Sequence, residues 1–482
     1  MSHVLVVGGG ITGLAAARTL ALRGVAVTLV EAGGRLGGKA FTEHADGFAI
    51  EHGPDSFVAA RPAAIDLVRD LGLGEQLIGT TDPRVVYVRH RATLVPMPAG
   101  LGLVLPTRAM PFARTRLFSR REKLRMTKDV VWPRILGPGD VSVGSLLRAR
   151  LGSPLVDRLA GPLVGGIYGT PIDELSLDSV VPQLRTAERT HRSLLLAGLA
   201  EGRAMRAAAA TRPRGAQSGG AFLSLRAGIG SIVEALDASL RSLGAEVVTG
   251  QEVRSLLRAG TGIAARLRDG SLRRYDGVVV AAPAPVAAAL LEHEVPGVAR
   301  PLAGIPHGSS ALVTLAYRRG AVGRPLVGHG YLVPGAEGGA ISACSWSSEK
   351  WPGRAPDDAV LVRLSVRGED RWTGEADAVL VAAARADVEA TLGIAGEPIL
   401  ARVTRWSGSM PRYTVGHLDR VSAIEDAMTA WPAAVLAGAS YRGVGLPDCI
   451  AQGHAAATGL ADLLGGGDHA TTEQVAQLAA SG

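Results

Sequence analysis

Two cysteines, Cys344 and Cys449, are all that the 482 residues contain. They lie far apart, and no CxxC or Cys/His spacing accompanies them. That leaves no zinc site or redox pair to consider and fits two reduced thiols in a reducing compartment. Aromatic residues make up only 4% of the chain. No uninterrupted apolar run is long enough to span a bilayer. No signal or transit peptide precedes the apolar run 4-VLVV-7, so a cytoplasmic protein is expected. No Ser/His/Asp cluster, paired carboxylate or metal-ligand motif stands out either. No metal is therefore expected.

What is present describes a folded, basic protein. The hydrophobic fraction is 47% and the charged fraction 20%, which suits packed cores. The length predicts two or three domains. A net charge of +7 and a pI near 9.8 favour an anionic partner: nucleic acid, an acidic membrane surface or a polycarboxylate.

Residues 4–32 read as strand, turn, helix, strand. The run 4-VLVV-7 suits a central parallel strand, apolar on both faces. Gly8, Gly10 and Gly13 then form G-x-G-x-x-G. The first glycine permits the tight turn, the second lets a pyrophosphate approach the backbone, and the third lets helix and strand pack closely. The spacing predicts a helix from Ile11 to about Leu22, stopped at Gly24, with its N-terminus towards phosphate. A second strand, 25-VAVTLVEA-32, ends at Glu31, placed to accept hydrogen bonds from both ribose hydroxyls and to repel a 2′-phosphate. A dinucleotide site is the reading, and NAD and FAD both fit it so far. The chain then runs through 33-GGRLGGKA-40 instead of entering the next helix. Gly37 and Gly38 allow close backbone approach. Arg35 can fork onto a pyrophosphate, and Lys39 adds charge.

Later segments supply further pieces. Residues 223–257 read as a glycine turn, a long helix and a strand, with Ile232, Val233, Leu236 and Leu240 on one helix face. The run 278-VVVAAPAPVAAALL-291 is a buried strand leading to a helix. Residues 434-AVLAGA-439 form a strand, 440-SYRGVGLP-447 a turn, and a helix follows near Asp448, with Pro447 and Asp448 suited to its start. That helix N-terminus could stabilise negative charge on a ligand.

The E-x-x-x-R-x-G-G stretch from Glu31 to Gly38 resembles the motif of the amine-oxidase-like FAD superfamily. Four stretches, 51-EHGPDSF-57, 161-GPLVGGIYGTPIDELSLDSVVPQL-184, 404-TRWSGSMPRYTVGH-417 and 443-GVGLPDCI-450, resemble the protoporphyrinogen/coproporphyrinogen oxidases of haem synthesis. The resemblance runs from Val4 to about Leu464. It implies an α/β fold of mixed α+β character: a Rossmann-like FAD domain of the amine-oxidase/glutathione-reductase-2 type, a sheet-containing substrate domain and a helical, membrane-facing domain. The implied boundaries are 1–80, 221–300 and 420–464 for the FAD domain, 81–95 and 301–419 for the substrate domain, 96–220 for the helical domain and 465–482 for a flexible tail.

The implied cofactor contacts are Gly8, Gly10, Ile11, Thr12, Gly13, Glu31, Ala32, Arg35, Gly37, Gly38 and Lys39, then Gly53, Pro54 and Asp55. Val253 would contact adenine through its backbone and Trp406 would stack near the isoalloxazine. Gly438, Gly445, Leu446 and Ile450 complete the set. On the substrate side Arg84 matches an arginine that pairs with a propionate in some members. Gly330 and Leu332 match positions that sandwich the ring, and Gly165 and Gly166 let backbone approach ring or flavin. His417 is expected to be structural. The implied reaction removes six electrons from a porphyrinogen, with O2 as acceptor. The basic balance and the resemblance to the Gram-positive-type branch favour coproporphyrinogen III over protoporphyrinogen IX. An amine oxidase, a carotenoid desaturase and a non-enzymatic escort-type binder on the same fold remain alternatives.

Residues 108–136 hold nine Lys/Arg against Glu122 and Asp129, interleaved with Phe112, Leu117, Phe118, Leu124, Met126 and Trp132. The pattern suits an interfacial segment on the inner face of a membrane, and equally a surface helix packing its apolar side inward. A carboxylate-rich porphyrin or a ferrochelatase partner would also suit the charge. Nucleic acid is not expected, because no recognised motif accompanies the basic run. Residues 202–220 read as a mobile arm.

Overall fold

The computed structural model describes residues 1–102, 104–210, 220–368, 372 and 374–479, leaving aside the side chains of 209 and 466–479. The expected flexible tail, 465–482, falls almost wholly outside the described side chains.

A five-stranded parallel sheet carries the N-terminal motif. Its strands are β1 (His3–Val7), β2 (Ala26–Glu31), β3 (Glu246–Thr249), β4 (Gly277–Val280) and β5 (Ala434–Leu436), in the spatial order β3-β2-β1-β4-β5. Both faces are covered, as the unbroken apolar runs require. On one face lie α1 (Ile11–Leu22), α2 (Gly230–Ser242) and α3 (Leu446–Ala479), which bury Leu14, Leu20, Ile232, Leu236 and Leu460 against β1 and β2. On the other lie the helices Ala284–Leu291, Pro296–Ala303 and His417–Met428, together with the three-stranded ribbon formed by Val253–Ala259, Gly262–Leu267 and Leu272–Tyr275. The first helix spans the residues its pattern predicts, and Gly24 follows it at φ +77°.

A second, seven-stranded sheet runs in the order Leu400–Pro411, His307–Arg318, Ala359–Val366, Ile341–Trp346, Gly330–Leu332, Val86–His90, Thr93–Pro96. Every neighbouring pair is antiparallel except Gly330–Leu332 with Val86–His90. The helix Asp377–Leu392 covers one face, burying Leu380, Ala384 and Val388.

Between Ala109 and Ala210 the chain is helical. The basic stretch forms two short helices, Ala109–Arg114 and Arg120–Thr127, the second opened by a capping box between Ser119 and Glu122. Its apolar residues divide. Phe112, Leu117, Phe118 and Met126 are buried, whereas Leu124 and Trp132 are 71% and 45% exposed. One expectation is corrected here. Residues 202–210 are not an arm but the second half of the helix Leu194–Ala210. An alanine-rich run loses little side-chain entropy on becoming helical, and Gly198 and Gly202 let the helix lie directly on the backbone of Pro106 and Thr107. Residues 211–219 lie outside the described residues.

A buried ion pair fixes this layer. Arg150 Nε lies 2.7 Å from Asp129 Oδ1, with both side chains fully buried. Asp129 Oδ2 accepts from Ser193 Oγ at 2.6 Å and from Leu195 N–H at 2.9 Å. Arg150 Nη1 donates to Pro133 O at 2.6 Å and so ties down the exposed loop beyond Val131. Removing one partner leaves an uncompensated buried charge. Asp129→Ala is therefore expected to lower the unfolding free energy by about 3–5 kcal/mol, checked as the shift in urea midpoint at unchanged m-value.

Candidate functional site

The two glycine-rich stretches form one cleft at the carboxyl ends of β1 and β2. At Gly13 a Cβ would sit 1.9 Å from the Gly8 carbonyl oxygen, so only glycine lets α1 leave the turn this closely. At Gly10 a Cβ would meet nothing within 4 Å, and the turn is open on that side. Helix α1 begins at Ile11 without a side-chain cap, leaving its first N–H groups to an anion.

Glu31 joins the two stretches. Its Oε2 accepts from Gly9 N–H and its Oε1 from Gly33 N–H, each at 2.7 Å. The second stretch then folds back on the first. Gly37 N–H donates to Gly9 O at 2.8 Å, and Gly10 and Gly37 form a parallel bridge. Gly37 sits at φ +95° with a would-be Cβ 2.4 Å from Ala40 O, a position for glycine alone. Ala32 lies exposed just beyond the strand.

Arg35 spends two nitrogens bracing its own loop, donating to Leu36 O at 3.1 Å and Gly38 O at 2.9 Å. Its guanidinium lies 4.3 Å over the Phe41 ring and 5.9 Å from the Trp406 ring. Lys39 Nζ donates to Ser409 O at 2.6 Å. Burial pushes the Lys39 ammonium below its ordinary pKa, with the Cys449 thiol opposing. No carboxylate among the described residues is ion-paired with Lys39, and the Ser409 carbonyl is its hydrogen-bond acceptor.

The segment 53–55 passes beneath this loop. Gly53 lies against Lys39, where a Cβ would be 1.9 Å from Lys39 O, and its own carbonyl accepts from Arg363 Nη1 at 2.6 Å. Asp55 Oδ2 accepts from Lys350 Nζ at 2.9 Å and Trp351 Nε1 at 3.2 Å. Burial alone would raise its carboxyl pKa, but Lys350 and Arg363 outweigh it and hold the group well below the usual carboxylate range. Asp55 thus anchors the segment. Trp406 is fixed by a 2.7 Å bond from its Nε1 to His52 O.

The late segment closes the far side. Beyond β5 the chain passes Gly438 beside Thr12 and turns into α3, which starts at Leu446 with Pro447 and Asp448 in its first turn. Leu446 and Ile450 are buried against α1. Tyr413 holds the turn: its hydroxyl donates to Ala439 O at 2.7 Å and accepts from Gly443 N–H at 2.8 Å. Gly445 lies 3.1 Å, from a would-be Cβ, to Asp448 Oδ2. The Tyr413 ring stacks on His417 at 3.9 Å. His417 is fully buried, and one ring nitrogen, Nε2, lies 2.8 Å from Tyr441 O. Burial lowers its pKa from 6.5 to about 4, so it is neutral and structural near neutral pH. Tyr441 is buried as well, so this turn presents no aromatic cage.

The remaining residues fall into three places. Val253 is buried at the start of the ribbon strand Val253–Ala259, beside Val7 and Val30. Arg84, Gly330 and Leu332 come together: Gly330 pairs with Val86 and Leu332 with Val88 on parallel strands, and Arg84 immediately precedes them. Gly330 sits at φ +139° with a would-be Cβ 2.1 Å from Cys344 O, so the sheet itself demands glycine there. Gly165 ends a π-helical stretch, Val156–Gly165, which accommodates Pro162 and packs against the strand Val86–His90, and Gly166 opens the short helix Gly166–Tyr168. Gly166 is exposed. Sequence reasoning missed Tyr413, Lys350 and Arg363. Arg363 carried a signal, an arginine in the middle of the apolar strand 359-AVLVRLSV-366. Lys350 carried none.

Comparison with known proteins agrees with this geometry. The model of the flavin containing amine oxidoreductase family matches residues 11–461. A coproporphyrinogen III oxidase of Propionibacterium freudenreichii is 43% identical over 477 residues, 93% of this chain and 89% of its own. Human protoporphyrinogen oxidase is 33% identical over 482 residues, 94% of this chain and 97% of its own. A crystal structure from Exiguobacterium sp., described as a candidate protoporphyrinogen oxidase, superposes with a TM-score of 0.82 at 33% identity, covering 95% of this chain and 98% of that one.

Two outcomes follow from the geometry. Glu31→Ala orphans the Gly9 and Gly33 N–H groups, and the cofactor-free protein is expected to lose about 1–3 kcal/mol of stability in urea. For His417, the unfolded chain takes up a proton near 6.5 whereas the folded chain resists to about 4. Stability therefore falls as pH drops from 6.5 towards 4, by up to about 3 kcal/mol. His417→Gln is expected to flatten that part of the stability–pH curve relative to the unaltered protein.

Proposed function

The chain belongs to the flavin containing amine oxidoreductase family, in its protoporphyrinogen/coproporphyrinogen oxidase branch, and from that membership we infer that it is an FAD-dependent porphyrinogen oxidase of haem biosynthesis. The observation that carries the inference is the pair of glycine stretches closed by Glu31, within a chain alike end to end to porphyrinogen oxidases. We propose coproporphyrinogen III as the substrate and protoporphyrinogen IX as the alternative. The 43% and 33% identities to relatives named for the two substrates support that order.

The residues present suit FAD. The open space at Gly10, the uncapped start of α1 and the unpaired Lys39 cation would take the pyrophosphate and neighbouring oxygens. Glu31 keeps lone pairs for ribose hydroxyls, and its charge disfavours a 2′-phosphate. The start of α3, held by Tyr413, would set backbone N–H groups against negative charge at the flavin's pyrimidine edge. Bound there, FAD supplies the redox chemistry, taking up hydride from the macrocycle and passing electrons to an acceptor, for which O2 is proposed. This chain's task is to orient the macrocycle and exclude water. Arg84 is proposed to hold a propionate, with Gly330, Leu332, Gly165 and Gly166 against the ring. The segments 1–80, 221–300 and 420–464 form the proposed FAD domain, 81–95 with 301–419 the substrate domain and 96–220 the helical domain.

No helix among the described residues is long and apolar enough to cross a membrane. The exposed Met110, Leu124, Val131, Trp132 and Ile135 beside the basic stretch form the surface proposed for peripheral membrane contact. Ferrochelatase is proposed as a recipient of the product.

Visible spectroscopy tests the reading. Anaerobic addition of coproporphyrinogen III is expected to bleach the flavin bands as a porphyrin band rises. A colourless purified protein, or a flavin bleached by amines and by neither porphyrinogen, overturns it. A higher kcat/KM for protoporphyrinogen IX reverses the substrate order alone.

A further inference from the structure

Arg61 is a cleft cation that the preceding description leaves without a task. It follows the short strand Phe57–Val58, and its side chain is 60% exposed. Its Nη1 is ion-paired with Asp448 Oδ1, in the first turn of α3. Its other side-chain nitrogens have no partner among the described residues. The Asp448 carboxylate in turn lies on the glycine turn: a Cβ at Gly443 would come within 2.6 Å of Asp448 Cγ. Asp448 thereby seats Arg61 at the edge of the turn proposed to meet the flavin. The Arg61 charge also reaches Tyr168, next to Gly165 and Gly166, where it opposes the burial that raises the phenol pKa.

The strand pair that leads to Arg61 is apolar and exposed on one face. Phe57 is buried, so Val58 points the other way and is 41% exposed. Its cross-strand partner is Phe222, 46% exposed. Arg61 N–H donates to Val58 O at 3.4 Å, at one end of this pair. Past the same end, on the neighbouring strand, Ala59 N–H donates to Ala221 O at 3.0 Å, and the preceding Gly220 lies against Arg84, with a would-be Cβ 3.3 Å from Arg84 Cζ. An exposed aliphatic–aromatic pair with two arginines past one end fits a flat apolar body with carboxylates along one edge.

We propose that Arg61 is a second carboxylate-binding residue of the substrate site. It grips a second propionate, on the same edge of the macrocycle as the one proposed for Arg84, with Val58 and Phe222 beneath the ring and Asp448 as its positioning residue. The assignment rests on the porphyrinogen reading above. It also supplies a basis for substrate preference: coproporphyrinogen III presents four propionates and protoporphyrinogen IX two, so a second cation favours the former.

The test uses the full, FAD-loaded chain and fluorescence titration with coproporphyrin III, alongside steady-state oxidation of both porphyrinogens. Arg61→Gln is expected to weaken coproporphyrin binding about tenfold and to raise KM for coproporphyrinogen III, with kcat and flavin absorbance unchanged and a smaller loss for protoporphyrinogen IX. Arg61→Lys, which keeps the charge and disturbs α3 least, is expected to recover most of the affinity. Unchanged binding in Arg61→Gln overturns the proposal. So does an equal loss for coproporphyrin tetramethyl ester, which has no carboxylates, because the effect is then not one of charge. Failure of the unaltered protein to bind any porphyrin or oxidise any porphyrinogen sinks the porphyrinogen reading itself, and the two failures are thus told apart.

Discussion

The cleft depends on one carboxylate. Glu31 takes an N–H from each glycine stretch, 2.7 Å on either side, and so fixes the second stretch as a lid over the first turn. Without that bridge the loop 33–40 would be tied to the turn only by Gly37. With it, the loop is held beside the uncapped start of α1, and Lys39 reaches Ser409 on the far sheet. Charge-assisted bonds to backbone are among the stronger local interactions available, and here two of them set the geometry of everything a long dinucleotide would touch.

The two sheets are held in relation by buried charge. Glu51 lies 3.2 Å from Arg354 with both side chains almost wholly buried. Its oxygens also accept from Thr42 Oγ1 at 2.8 Å and Ile229 N–H at 2.9 Å. Burial raises the Glu51 pKa in spite of Arg354. Asp55 joins the same region to Lys350 and Arg363 of the antiparallel side. Such networks are costly when half satisfied. Their place at the seam between sheets suggests that they hold a relative orientation, which a catalytic cleft between two layers needs more than raw stability.

Much of the parallel sheet was legible in the sequence. The run 4-VLVV-7, the glycine spacing and Gly24 each obey local rules of period, turn and cap, and local rules survive folding. Family likeness carried the reading from nucleotide cleft to porphyrinogen. The residues that escaped detection act across long sequence distances. Lys350 reads as one more surface cation until Asp55, expected among the cofactor contacts, meets the short helix Ser347–Lys350. Tyr413 looks like one more strand-end aromatic until its hydroxyl meets both Ala439 and Gly443. Residues 202–210 misled because alanine, arginine and glycine without amphipathic order look like a linker. The backbone of Pro106 and Thr107 gives that helix a seat that its sequence does not announce.

The parallel sheet is assembled from distant parts of the chain: β1 and β2 within the first 31 residues, β3 and β4 past residue 245, β5 past residue 433. During synthesis the glycine turn and Glu31 therefore emerge early, with neither β5 nor α3 to close against. Loop closure over such lengths is slow relative to local helix formation. A nascent chain would expose the flat apolar edge of β1 and β2 for much of its translation. Coloured, cofactor-filled protein could appear only after the segment from Ala434 onward has been made, so loading with flavin would be a late event that reports completed topology.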